Sequence, residues 1–192
     1  MQKEQGSILK IAISFAVLFV LYHSAEYMLL FKKSVVGFFV FQLLFFLLAW
    51  LLGNWNSKNG FGFWGLSFSM LKIKHVLIGI LLGLLLYGIP YLISLSLGIE
   101  FVSKIPPWTV ILTASIPFVF GVIFSSFSED ILTRGTVFRL LNNKIKTVWI
   151  ILISATIYLL NHIYRLNDGL DTLSYLFLLG VLFNAGVISS TN

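Results

Sequence analysis

The chain has no cysteine anywhere in its 192 residues. A disulfide framework and a thiol nucleophile are therefore both excluded. Charge is nearly as scarce: Asp, Glu, Lys and Arg together make up 10% of the residues, against about one quarter in an average soluble domain. A soluble globule of this size could not cover its apolar surface with so few polar side chains. The hydrophobic runs also lack the apolar-polar alternation that a membrane β-barrel requires. Neither an internal repeat, nor a low-complexity tail, nor a separate soluble domain can be picked out. The net charge of +6 reflects membrane orientation better than nucleic acid, so no nucleic-acid partner is expected.

What the chain does contain is long stretches of apolar residues. Hydrophobic residues make up 58%, 19 of them Phe, and the mean hydropathy is +0.97. Six runs stand out: Ile11 to Phe31, Val35 to Gly53, Val76 to Gly98, Trp108 to Phe127, Val148 to Ile163 and Leu173 to Ser190. A helix rising 1.5 Å per residue needs roughly 20 residues to cross the hydrocarbon layer. The first four runs reach or approach that length, the fifth is short and the sixth is borderline. The first is too long for a cleaved signal peptide. The expected fold is all-α: a polytopic transmembrane helix bundle of about six membrane segments, one integral membrane domain over residues 1–192, with the lipid bilayer as its solvent.

Lys and Arg are retained on the cytoplasmic side of a membrane. With six crossings, one side receives Lys3, Lys10, Lys58, Lys72, Lys74, Arg134, Arg139, Lys144 and Lys146. The other receives Lys32, Lys33, Lys104 and Arg165. The bias predicts a multi-pass protein of the cell membrane with a cytoplasmic N-terminus. Its sign survives if Arg134 and Arg139 belong to a longer fourth helix. Pro106 and Pro107 mark the start of that helix. Pro90 and Pro117 lie inside apolar helices, where neighbouring helices must compensate for the lost hydrogen bonds. Gly79 and Gly83 have the spacing of a close helix contact, a spacing that chance produces equally well. The aromatic residues of the loop 54–65 read as interfacial anchors, and Arg139, Lys144 and Lys146 as headgroup contacts.

The most informative segment is Ser125 to Lys146. Asp130 and Arg134 are four apart, acid before base, the favourable order for an ion pair on one helical face. Glu129 points about 100° away from Asp130 and is left to face another partner. His162 is the candidate. If helix four runs to Asn143 and helix five starts at Thr147, Glu129 lies 14 residues before the bend and His162 lies 15 after it. Both then sit about 21–23 Å from the turn. A desolvated glutamate at the level of a histidine suits water activation: Glu129 as base, His162 as metal ligand or oxyanion donor. The competing reading makes Tyr158, Asn161, His162 and Tyr164 an interfacial band. His23 and Glu26 share a face of the first helix, near its end, and His75 sits at a helix start.

Two motifs carry a resemblance. Glu129-Asp130-Ile131-Leu132-Thr133-Arg134-Gly135 resembles the first motif of the CPBP family of intramembrane proteases. That family comprises the CAAX prenyl endopeptidase and the Abi proteins of bacteriocin self-immunity. Tyr158-Leu159-Leu160-Asn161-His162, with Ser154 and Ala155 upstream, resembles its second motif. The likeness covers roughly residues 65–192 and implies a metal-associated endopeptidase. It casts Glu129 as the water-activating glutamate and His162 as the first active-site histidine. Asp130 and Arg134 support them, and a divalent metal such as zinc would sit at His162. The implied substrate is a peptide or protein, prenylated or of the bacteriocin type. Asp130 departs from the usual Glu, Thr133 from an aromatic and Tyr158 from Phe. The family's third motif, a histidine followed by Asn four residues later, has no counterpart after His162. The C-terminal part of the family core is thus expected to be missing.

Two functions follow. One is an endopeptidase cutting near the cytoplasmic face with water activated by Glu129. The other is a catalytically inactive protein of the same fold, acting in bacteriocin self-immunity or peptide binding. A transporter ranks below both, because helices two and three offer almost no polar residues.

Overall fold

In an apolar solvent each backbone N–H and C=O must be satisfied inside the protein, and a helix does this within one segment. The computed structural model describes residues 8–66 and 73–189, without the side chains of His75, Leu166 and residues 186–189. The expectations for Lys3, Lys72 and the His75 side chain lie outside the described residues. All elements among the described residues are helical. They are α1 (Ile8–Leu30), α2 (Val35–Ser57), a short 3-10 turn (Gly60–Trp64), α3 (Ile73–Ser96), α4 (Trp108–Glu129), a π turn (Asp130–Gly135), α5 (Thr136–Leu141), α6 (Thr147–Asn161), a second 3-10 turn (Ile163–Asp168) and α7 (Leu170–Ser189). Four helical stretches are long and apolar enough to cross a membrane, including an unbroken one over Trp108–Leu141, while α6 and α7 are shorter. The chain is a multi-pass membrane protein with an all-α fold.

The ends of these helices follow local chemistry. Ser34 caps α2, its hydroxyl accepting from the Gly37 N–H, one of the donors a helix start leaves open. α4 begins directly after Pro107, whose carbonyl accepts from Val110 and Ile111 at 3.0 and 3.1 Å. α3 and α4 both run through their internal prolines.

The chain divides into two compact units, Met1–Leu66 with Val122–Asn192, and Ser67–Gly121. In the second unit, no described side chain of α3 is buried. A Cβ added at Gly79 or Gly83 would meet nothing within 4 Å, so that glycine pair makes no close contact among the described residues. In the first unit α1 packs along α2 and α6 along α7. Its core joins Ile11, Leu18 and Tyr22 of α1 to Phe45 and Ala49 of α2 and to Ile131 and Leu132 of the π turn.

The loop after α2 departs from its interfacial reading. Phe63 and Trp64 are 3% exposed and belong to the core. The Trp64 indole donates to the Ala49 carbonyl at 2.8 Å, which satisfies its one polar atom inside the protein. Only Trp55 is left outward, with Lys10 5.2 Å from its ring centre. Arg139 is likewise not a headgroup contact alone. Its guanidinium donates to the carbonyls of Phe63 and Gly62 and covers the Phe63 ring. The loop folds inward because its carbonyls find this cation and its rings find the core.

Candidate active site

The helix that begins at Trp108 widens at Asp130–Gly135 into a π turn before continuing as α5. Such a turn shifts the hydrogen-bond ladder by one residue, so that the Thr136 N–H reaches the Ile131 carbonyl. Hydroxyls add further bonds to the turn. Thr133 Oγ1 donates to the Glu129 carbonyl at 2.6 Å and Thr136 Oγ1 to that of Ile131 at 2.9 Å. Ser154 Oγ, from α6, donates to the Thr133 carbonyl at 2.9 Å. Gly135 allows the close approach of the neighbouring loop, since a Cβ there would stand 2.6 Å from the Trp64 carbonyl oxygen. The motif's Thr and Gly therefore shape the turn that carries its charges.

Asp130 and Arg134 form the expected ion pair across one turn. Arg134 also lies 5.5 Å from the ring centre of Phe183 on α7. Glu129 turns away from this pair, as its rotation predicts, and meets α1. The Tyr22 hydroxyl donates to Glu129 Oε1 at 2.8 Å. Tyr22 is 1% exposed, so this hydrogen bond is made out of reach of bulk water. It is stronger for that, and it holds one carboxylate oxygen in place.

The Ser154–Thr133 contact sets the register of α6 against the π turn. Four residues from Thr133 back to Glu129, and four from Ser154 forward to Tyr158, are both steps of about 6 Å. Glu129 is thus level with Tyr158, one turn short of His162. Helical side chains tilt toward the N-terminus, and His162 does so: its Nδ1 lies 2.9 Å from the Tyr158 carbonyl oxygen. The ring returns to the level of Glu129 and is close enough to act on its charge. A carbonyl only accepts, so Nδ1 carries the proton and the neutral ring presents a bare lone pair at Nε2. The expected oxyanion donor is therefore, in its neutral form, an acceptor. Nor do these residues form an interfacial band, because Tyr158 and Asn161 are buried in the interior.

α1 contributes more than its sequence suggested. His23 Nδ1 and Glu26 Oε2 are 2.8 Å apart. Glu26 stands four residues from Tyr22, hence on the same face, and its charge also reaches Glu129. Burial, and then the charge of Glu26, push the Tyr164 phenol above its ordinary range. Tyr164 thus stays a neutral hydroxyl beside this group. Tyr22 was missed because a tyrosine among apolar residues reads as packing. The signal available was its place in the buried series Ile11, Ser14, Leu18, Tyr22 and Ala25, with Glu26 one turn on.

Residues 106–192 match the model of the family described as type II CAAX prenyl endopeptidase Rce1-like. That is the family to which the two motifs pointed. No curated protein and no solved structure matches the chain significantly. The matched stretch contains Glu129, Asp130, Arg134 and His162. Tyr22, His23 and Glu26 lie outside it.

A divalent metal needs several converging donors. Among the described residues no three His, Cys, Asp or Glu side chains are grouped to hold one. The donor set here does not fit a metal, and no step below is routed through one.

Proposed function

We propose that the chain is an intramembrane endopeptidase in which Glu129 activates water against a peptide carbonyl. The observation that carries this reading is the buried hydrogen bond from Tyr22 to Glu129 Oε1 at 2.8 Å, with His162 within electrostatic reach. The tethered oxygen is fixed and Oε2 is left for a water. That water gives one proton to Glu129 as its oxygen bonds to the carbonyl carbon, and the carbonyl π pair moves onto oxygen. His162 Nε2 accepts a hydrogen bond from the water's second hydrogen and aims the lone pair. The tetrahedral carbon then expels the amine, the C–N bond breaks, and the leaving nitrogen takes the proton from Glu129. Peptide and water become acid and amine, and Glu129 returns to its starting state. Asp130 and Arg134 hold each other at the π turn, which keeps Glu129 facing α1.

The substrate is a peptide or protein in the cell membrane, prenylated or of the bacteriocin type, with the N-terminus of the enzyme cytoplasmic. A groove of about 1020 Å³ lies beside the site, lined by Phe19, His23, Phe41, Leu160 and Ile163 among others. Its apolar walls suit a lipid-modified or membrane-embedded chain. The test is cleavage of a farnesylated peptide by the protein in liposomes. Glu129→Gln and His162→Gln each lower kcat, the first by about 1,000-fold. Normal rates in both variants end this reading.

A second reading is supported by the departures of Asp130, Thr133 and Tyr158 from the family's motifs. It is peptide binding or bacteriocin self-immunity without catalysis. Protection of cells against a secreted peptide then survives Glu129→Ala.

A further inference from the structure

A hydrolytic site needs a donor for the oxygen that becomes negative. His162 does not supply one when neutral, because its Nδ1–H is spent on the Tyr158 carbonyl 2.9 Å away. The residue before it has what is missing. Asn161 is 0% exposed, and neither its Nδ2 nor its Oδ1 has a hydrogen-bond partner. Buried side-chain amides are almost always paired, and in a membrane protein water cannot reach them freely from lipid. A bare amide here is an arrangement kept at a cost. Gln42 Nε2 is the other bare amide donor among the described residues, but its side chain is already held by Ser128 through Oε1.

The position of Asn161 fits the need. It lies seven residues after Ser154, two turns on, and so on the same face of α6. Ser154 is the residue that touches the π turn, and both belong to the buried face of α6 with Ile150, Ala155 and Tyr158. Asn161 is less than one turn past Tyr158, the level of Glu129, and its side chain tilts back toward that level.

We propose that Asn161 is a catalytic residue whose Nδ2–H donates to the peptide oxygen as it becomes an oxyanion. The assignment rests on the endopeptidase reading and adds to it the group that receives the negative charge. Its proton stays on nitrogen throughout, so the balance of the reaction is unchanged.

The test uses the full chain in detergent and in liposomes with the farnesylated peptide. Asn161→Ala lowers kcat by about 100-fold and leaves KM within about two-fold, because the oxyanion exists only in the transition state. Asn161→Leu, which removes the unpaired amide at similar volume, is equally slow but melts no lower than the parent protein. A structural asparagine gives the opposite pair of results: melting falls and kcat holds. An unchanged kcat in Asn161→Ala, with Glu129→Gln inactive, overturns the assignment and leaves the endopeptidase reading standing. If Glu129→Gln cleaves at the parent rate, that reading fails and the role of Asn161 falls with it.

Discussion

α1 and α3 are both long apolar helices, with mean hydropathies of 1.9 and 2.4 over their membrane spans. Within their own units they pack differently. α1 buries Ile11, Ser14, Leu18, Tyr22 and Ala25, whereas no described side chain of α3 is buried. Hydropathy does not separate them, because lipid satisfies apolar side chains as well as protein does. Polar side chains do. Ser14 accepts from Asn56 at 3.0 Å, and Tyr22 reaches Glu129. Such groups have no partner in lipid and are held by other helices. In this protein, packing inside the membrane follows the few polar residues and the small ones that let backbones approach. Gly180 of α7, for instance, would place a Cβ 3.1 Å from Ala155 of α6.

That contrast can be broken by substitution. The largest effect on stability is expected at Leu18, which is 0% exposed in α1. Leu18→Ala leaves a cavity and costs about 2–4 kcal/mol, measured as denaturant or thermal unfolding in detergent. A cost no greater than that of an α3 substitution would refute the distinction. Next comes Tyr22→Phe, which keeps the ring and removes the donor to Glu129. Stability falls by about 1 kcal/mol, while kcat on the farnesylated peptide falls about ten-fold at constant KM, as when one fixed hydrogen bond to the base is lost. A rise in KM with kcat unchanged would place Tyr22 in substrate binding instead. The smallest effect is expected at Leu84 of α3, which is 66% exposed. Leu84→Ala should stay within about 0.5 kcal/mol. A loss comparable to that of Leu18→Ala would mean that a partner covers α3.

The candidate site was legible in unequal parts. Asp130–Arg134 could be read from spacing alone, since i,i+4 geometry is local. The levels of Glu129 and His162 followed from counting residues to the bend. The count took helix four to Asn143, whereas α5 ends at Leu141 after a π turn; only the start of α6 at Thr147 is as assumed, and the tilt of the His162 ring was needed to close the last turn. Glu26 and His23 were read as the tail of a helix, yet they face the same region as Glu129. Nothing local could show this, because it depends on how α1 is rotated against α4. Phe63 and Trp64 failed as membrane anchors for a similar reason. An indole finds a carbonyl equally well at an interface or, as here, at Ala49.

The sequence alone determined that the chain lives in a membrane, which segments are helices, and which residues resemble the motifs of a CAAX endopeptidase. Those properties depend on composition, run length and spacing, all of which are local. Tertiary structure alone decided that Tyr22 holds Glu129, that His162 spends Nδ1 on its own helix, and that Asn161 is buried without a partner. The second depends on the side-chain conformation at the end of α6, the first and third on the rotation and register of one helix against another. Uniformly apolar surfaces leave both undetermined until the polar groups and the small residues choose.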